Sequence, residues 1–432
     1  MTTTQTKPKP NNKTKTATEW LNYIEALHPK SIAMGLDRVK AVAEKLQLNP
    51  TFPIITVAGT NGKGSVCAML SHIYQQAGYR VGCYTSPHLN RYNERVNINL
   101  QMISDEALCK AFEAVETARG DVALTYFEMG TLAAMWHFCH ENLEILILEV
   151  GLGGRLDAVN VFEPNCAIVT TVDLDHMEFL GETREKIGFE KAGIFRKNTP
   201  AICGDENPPV SLVDYAHKIG ANLALIGHDF QVKKTAQGWH YLVKNINLTL
   251  PLLGLFGDFQ DNNAACAIRA VQYLNNILPT TEANIRAALA EVKLIGRFQK
   301  IQSSPTVILD VAHNPHAAKS LAQNLQILPC AGRTLAVFAM LADKDIEGVI
   351  GVIEKEVDTW YLADIHSARG AKAQDLQVIL QKKLIEHTDK NPIYLFEDVA
   401  TALETACKDA HINDRIIVFG SFYTVADAIA GR

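Results

Sequence analysis

No stretch of this 432-residue sequence approaches the roughly 20 consecutive apolar residues that a membrane-spanning helix requires, so no membrane span is expected. A basic excess is missing too. Lys and Arg number 41 against 47 Asp and Glu, a formal net charge of −6, which gives no reason to expect nucleic acid or an anionic membrane surface as a partner. Nine cysteines lie scattered from Cys67 to Cys407 without a C-x-x-C pair. That odd, unpaired set suits neither a disulfide framework nor a structural zinc site, and a reducing, cytoplasmic setting is expected. The opening residues 1–18, "MTTTQTKPKPNNKTKTAT", lack the apolar core of a signal peptide and the Arg-rich amphipathic face of a transit peptide, so they read as a disordered tail with solvated lysines. No internal repeat of fixed period appears.

What is present is an ordinary globular composition, 47% hydrophobic and 20% charged, in a chain long enough for two or three domains. Short Val/Ile/Leu runs alternate with longer helical stretches, the pattern of parallel strands joined by crossover helices, so the fold class is α/β. "PIITVAG" reads as the first buried strand and "SVCAMLSHIYQQAG" as the helix after it. "RVGCYTS", "EILILEV" and "NCAIVTTVD" are further strands, each followed at once by polar residues. Ligands of open parallel sheets gather at those carboxyl ends. Around Gly296 and Arg297 the pattern restarts, and strands and helices alternate again to the end. Three regions follow: a tail at 1–18, an N-terminal α/β domain with a mainly parallel sheet at 19–296, which the glycine-rich loop at 55–65 makes an expected P-loop-type ATPase domain, and a smaller Rossmann-like α/β domain at 297–432.

Between the first strand and its helix stands "ITVAGTNGKGS", residues 55–65. The usual phosphate-loop spacing, G-x-x-x-x-G-K-[ST], wants a glycine at Val57 and Ser or Thr directly after Lys63, whereas here Gly64 intervenes before Ser65. It is a variant phosphate loop. Gly59, Gly62 and Gly64 let the backbone approach an anion, Thr60 and Asn61 lie between them, Lys63 supplies a cation, and Ser65 is poised for phosphate or Mg²⁺. The plain alternative is a glycine-rich turn with an exposed lysine.

Nine segments, "GTNGKGS", "TSPHLNRYNERV", "LTYFEMGTLAA", "LEVGLGGRLDAVN", "DLDHMEFLG", "EKAGIFR", "GRFQ", "LDVAHNPHA" and "GSFYTVA", follow one another in the order and spacing of the folylpolyglutamate synthases. The sequence most resembles the bacterial bifunctional dihydrofolate synthase/folylpolyglutamate synthases, of the Mur ligase superfamily. The match runs from about Trp20 to the end and is weakly determined only from about Gly204 to Pro251.

The resemblance implies an ATP-dependent ligase that adds L-glutamate to 7,8-dihydropteroate and to reduced folates through an acyl phosphate. It implies ATP contacts at Gly59 through Ser65 and at Asn263, Arg297 and Asp310. Mg²⁺ would be held by Ser86, Glu149 and His176, with two metal sites expected and K⁺ as a further candidate ion. On chemistry alone only Glu149 is an obvious Mg²⁺ ligand, and a lone His at a strand end reads as a hydrogen-bonded structural residue. Lys63, Lys191 and His313 are the candidate catalytic residues. In the superfamily the lysine matching Lys191 is commonly carbamylated; by itself, a helical lysine between Glu190 and Ala192 reads as a solvated or salt-bridged group. Ile32, Thr125, Phe127 and Asp157 match pterin contacts, Arg95 is a candidate partner for a substrate carboxylate, and Ser421 is one for glutamate. The plain alternatives are core filling for Ile32 and Phe127, a turn cap for Asp157 and a helix N-cap for Asn263.

Two positions depart from the family pattern: Val159 where Thr is usual and Ala33 where an acidic residue is common. Among alternatives, a peptidoglycan-type Mur ligase would place a UDP-sugar domain before the phosphate loop, and Lys63 comes too early for one. A simple kinase or NTPase would share Lys63 and Glu149 but would not need the second sheet domain with "LDVAHNPHA", and a non-catalytic nucleotide module would not need the clustered Mg²⁺ ligands. A monofunctional folylpolyglutamate synthase is the nearest rival. The expected protein is a monomer whose partners are small-molecule substrates.

Overall fold

The computed structural model describes residues 15–30, 32–235, 237–244, 246–257, 259–384 and 391–431. Residues 1–14 of the expected tail lie outside them. The tail reading is corrected at its end: α1 (Ala17–Glu25) already begins at Ala17, where Thr16 and Glu19 form a capping box, so Thr16–Thr18 are the ordered start of a helix.

The uninterrupted apolar runs form interior parallel strands, whose two faces are both covered. In chain order the strands are β1 (Ile54–Ala58), β2 (Val81–Tyr84), β3 (Val96–Ile98), β4 (Gln101–Met102), β5 (Ile145–Glu149), β6 (Cys166–Val169), β7 (Pro200–Cys203) and β8 (Asn222–Leu225). They form one eight-stranded sheet of order β4-β3-β2-β5-β1-β6-β7-β8, parallel except for the β3 and β4 edge. On one face lie α2 (Asp37–Lys45), α4 (Asp105–Arg119), α5 (Tyr126–Cys139), α7 (Arg184–Ala192) and α8 (Val210–Ile219), with α1 outside and the single turn α6 (Met177–Leu180) between β6 and α7. On the other lie α3 (Lys63–Gln76), α9 (Gln260–Leu274) and α10 (Glu282–Glu291).

The weakly determined region holds something the pattern did not announce. β9 (Gln231–Thr235), β10 (Gly238–Val243) and β11 (Ile246–Leu250) form a separate antiparallel sheet. Its Trp239 and Tyr241 are buried in the same core as α9, and the Tyr241 hydroxyl donates to Gln272 Oε1 at 2.8 Å.

The last sheet runs β12-β13-β17-β14-β15-β16, from β12 (Gln299–Ser303), β13 (Thr306–Leu309), β14 (Thr334–Phe338), β15 (Thr359–Ala363), β16 (Ile393–Phe396) and β17 (Arg415–Phe419). Only β12 is antiparallel to its neighbour. Helices α11 (Pro315–Ile327), α12 (Ile346–Ile353), α13 (Ala373–Leu384), α14 (Val399–Asp409) and α15 (Phe422–Ala430) cover its two faces. Gly296, at φ +70°, makes the turn between the two large sheets: a Cβ there would meet Val311 Cγ1 at 2.8 Å. No described helix is long and apolar enough to cross a membrane.

Candidate active site

The carboxyl ends of β1, β2, β5 and β6 face the carboxyl ends of β13, β14 and β17 across a cleft of about 570 Å³. Every candidate catalytic, nucleotide, metal and substrate residue named from the sequence lines it.

The loop after β1 is held by its neighbours rather than freely exposed. Thr170 Oγ1 donates to Asn61 O at 2.5 Å, Asn61 N donates to Thr171 Oγ1 at 3.2 Å, and Thr60 N donates to Thr171 O at 2.8 Å. Gly59 (φ +149°) lies against the Thr170 hydroxyl with no room for a Cβ. A Cβ on Gly62 (φ +88°) would sit 2.5 Å from Asn263 Oδ1. Both glycines are therefore required by conformation and by space. Gly62 heads α3 without any side-chain cap, leaving the first N–H groups of that helix free for an anion. Lys63 Nζ lies over the loop, donating to Gly59 O at 2.9 Å and Thr60 O at 3.1 Å. Ser65 Oγ is buried with no hydrogen-bond partner among the described residues.

Glu149 ends β5, is buried, and accepts from Ser86 N at 3.0 Å. Burial pushes its carboxyl up, against the pull of Lys63, the Ser86 amide, Arg297 and Arg95. A Cβ on Gly64 would lie 3.8 Å from Arg297 Nη2 and 4.0 Å from Glu149 Oε1, so that cation and that carboxylate both face the loop. Among the described residues no three His, Cys, Asp or Glu form a metal-binding group. The donors are instead one carboxylate, the Ser86 and Ser65 hydroxyls and His176, a set that fits a Mg²⁺ ion completing its shell with water and phosphate oxygens. The orphaned Ser65 hydroxyl is the specific sign of that fit.

Lys191 corrects the surface reading of its sequence. It is 3% exposed, with no ion pair or hydrogen bond among the described residues. Burial, then the nearby Lys63 cation, bring its amine down from 10.5 to about 7, with Asp175 and Asp157 opposing. A buried amine that is half neutral at physiological pH is nucleophilic toward CO₂.

From the second sheet, Asp310 accepts from Phe298 N and Ala312 N, both at 2.8 Å, and burial raises it to about 6 despite Arg297 beside it. Burial lowers His313 to about 4; the neutral ring donates Nδ1–H to Val311 O at 2.9 Å, which leaves Nε2 as an acceptor. Asn263 is not an N-cap. It lies within the first turns of α9, buried, donating to Gln260 Oε1 at 3.0 Å while its amide oxygen abuts Gly62. Ser421 borders the cleft, yet its hydroxyl caps α15, accepting from Thr424 N at 3.0 Å and bonded to Thr424 Oγ1 at 2.7 Å.

Four residues that join the two halves were not assigned roles from the sequence. Asp175 receives Lys344 Nζ at 2.8 Å and Asn314 Nδ2 at 3.2 Å, while Asn61 Nδ2 meets His316 Nδ1 at 2.7 Å. Burial would raise the Asp175 carboxyl, but His176, Lys344 and His313 hold it well below the usual carboxylate range. His176, in the left-handed region at φ 49°, is the next residue, and its Nε2 is 3.5 Å from Lys344 Nζ. The available signal was position: Asp175 and Lys344 both follow strand ends, and Asn314 and His316 lie within "LDVAHNPHA".

At another part of the cleft, the Phe127 ring packs against Gly151, where a Cβ would be 2.6 Å from it. Thr125 caps α5, and Ile32 is half-buried in the lining of the same cleft. Asp157 is the turn cap that its sequence allowed, placed on the edge of the cleft. It caps the turn 158–161, with Leu152 N at 2.8 Å and Val159 N at 3.0 Å; burial raises it to about 7. Arg95 is buried with its guanidinium 5.1 Å from the Tyr92 ring, Nε donating to His88 Nδ1 at 2.9 Å. Of the two departures, Val159 is fully buried outside the cleft and serves Asp157 through its backbone N–H, which Thr or any residue but proline supplies equally.

Residues 57–271 match the Mur ligase middle domain and residues 296–422 the Mur ligase glutamate ligase domain. The chain is 45% identical over 411 residues to the dihydrofolate synthase/folylpolyglutamate synthase of Escherichia coli, covering 94% of this chain and 93% of that one. It resembles the solved E. coli FolC in complex with DHPP and ADP, with TM-score 0.91 and 44% identity over 96% of this chain and 97% of the other. A solved bifunctional folylpolyglutamate synthase/dihydrofolate synthase with Mn, AMPPNP and L-glutamate bound is similar at TM-score 0.88 and 42% identity, covering 96% and 98%.

Proposed function

From the fact that this chain belongs to the dihydrofolate synthase/folylpolyglutamate synthase family of Mur ligases, we infer the work of its cleft. The protein is an ATP-dependent ligase that adds L-glutamate to dihydropteroate and to reduced folates. The observation that carries the reading onto these residues is their convergence: phosphate loop, acidic strand end and flat aromatic wall line one cleft between two sheets.

When bound, ATP would supply the γ-phosphoryl group that activates the acceptor carboxylate, with ADP leaving and Mg²⁺ offsetting the phosphate charge, and the glutamate amine would then displace inorganic phosphate to form the amide. Lys63 and the uncapped start of α3 offset phosphate charge, and Arg297 approaches from the second sheet. Ser86, Glu149 and His176 hold one Mg²⁺, with Ser65 beside them. Carbamylated Lys191 provides a second carboxylate-like group, for two metal sites in all, and K⁺ is a further candidate ion. Asn263 and Asp310 fix the nucleotide; His313, whose Nε2 is free to accept a proton, and Ser421 border the glutamate; Arg95 pairs with a substrate carboxylate. Ile32, Thr125, Phe127 and Asp157 hold the pterin, whose N–H donors suit a carboxylate acceptor. Residues 16–296, counted from the start of α1, and residues 297–432 act as two domains of a cytoplasmic monomer.

The test is ADP and phosphate release with ATP, Mg²⁺ and L-glutamate, with 7,8-dihydropteroate and with a reduced folate monoglutamate as separate acceptors. Turnover with both is expected. Turnover with the folate alone would make the protein monofunctional, and turnover with neither would overturn the assignment. Lys63→Ala is expected to lose at least about 10²-fold in turnover with an unchanged melting temperature.

A further inference from the structure

The wall that carries Ile32, Ala33 and Met34 belongs to no sheet. Residues 32–36 are an irregular segment leading into α2, with Gly35 at φ +139°, and Ile32, Ala33 and Met34 line the same cleft as Thr125, the N-cap of α5, and Phe127 in its first turn. One guanidinium joins the two sides. Arg38 Nη2 donates to Ala33 O at 2.7 Å and to Glu128 Oε1 at 2.8 Å, and its Nε lies 3.1 Å from the same oxygen and 3.3 Å from Glu128 Oε2.

Glu128 has a 4% exposed side chain, and its Oε2 also accepts from Thr125 N at 2.7 Å, closing the capping box of α5. Among the described residues, the bond from Arg38 to Ala33 O is the only side-chain hydrogen bond that reaches residues 32–36. A buried carboxylate deprived of its cation is costly, so loss of Arg38 would disturb the α5 start and free the loop together.

We propose that Arg38 is a positioning residue for the pterin end of the acceptor, holding the Ile32–Met34 wall at a fixed separation from Phe127. This rests on the reading that the pterin lies between those walls. The planar fork is what the geometry needs, because it serves a carbonyl on one side and a carboxylate on the other at once. A shorter acceptor with no glutamate of its own relies most on that grip, which makes Arg38 a determinant of dihydropteroate use more than of folate use.

The experiment compares Arg38→Met, Arg38→Lys and Phe127→Ala in the full-length enzyme, reading KM for both acceptors, KM for ATP, kcat and melting temperature. Arg38→Met is expected to raise the dihydropteroate KM about tenfold and the folate KM about threefold or less, with kcat and the ATP KM within about twofold. Arg38→Lys, which keeps the charge but not the fork, is expected to fall between Met and wild type. If Phe127→Ala raises the dihydropteroate KM while Arg38→Met does not, the role of Arg38 is refuted and the pocket stands. If neither variant raises it, the pocket reading falls as well. An equal loss for both acceptors and ATP, with a lowered melting temperature, would make Arg38 a purely structural residue and refute the proposal. Should Arg38→Met fail to fold, Glu128→Gln reads the same KM split.

Discussion

Replacing Lys191 by Met is expected to stabilise the enzyme while abolishing its activity. The fall of the amine from 10.5 to about 7 corresponds to a folding penalty of about 5 kcal/mol, at about 1.36 kcal/mol per pH unit. Below pH 7 both folded and unfolded chains hold the lysine charged, and the whole penalty applies. Between pH 7 and 10.5 the folded chain carries fewer protons than the unfolded one, so stability rises with pH and the penalty shrinks. It is still about 5 kcal/mol at pH 6 and about 2 kcal/mol at pH 9. A methionine of similar length has no such charge to bury, so the variant should melt above wild type at pH 6, with a gap that closes by about 3 kcal/mol by pH 9. Melts in CO₂-free buffer at both pH values measure it, since bicarbonate would let the wild-type amine become an anion. A gap of constant size, or a variant that melts lower at pH 6, would refute the buried-amine argument. ¹³C-bicarbonate added to wild type at pH 8 should in turn give a carbamate resonance that Lys191→Met lacks.

Gly151→Ala places a methyl 2.6 Å from the Phe127 ring, and the ring must move; overpacking of about 1–3 kcal/mol should appear as a raised dihydropteroate KM, and a wild-type KM would show that the ring position is unimportant. Lys344→Met removes the cation that reaches Asp175 across the cleft, with both side chains nearly buried at 10% and 12% exposure. Hydrogen exchange should then quicken around residues 173–176 and 341–345, and unchanged exchange would mean that the other contacts suffice.

The sheets were legible because buried parallel strands read as unbroken apolar runs, and "ILILE" of β5 is buried at every residue. The β9–β11 sheet was not, since Trp239, Tyr241, Val243 and Leu250 are its fully buried apolar side chains while β9 reads "QVKKT", with Val232 alone packed on the core. Within the site, the phosphate loop and Glu149 could be read from glycine spacing and strand ends. The burial of Lys191 could not, because a helix in a charged stretch does not announce which face meets the sheet. Asn263 looked like a cap because Asn often is one; its place inside α9, against Gly62, is set by tertiary packing. Lys344 and Arg38 stand in no motif, and they matter through partners 169 and 90 residues away.

All nine cysteines are free thiols; Cys67, Cys166 and Cys266 are almost completely enclosed in the core between the first sheet and α3 and α9, and Cys203 is equally enclosed on the other face of that sheet. Burial pushes the Cys166 and Cys203 thiols up to about 12, so neither forms a thiolate in the closed molecule. The folded chain is thereby inert toward alkylating agents and peroxide at these positions, but a molecule that opens even briefly offers several ordinary thiols at once. Each opening can then be trapped chemically, so the enzyme carries its own record of how often this layer has come apart.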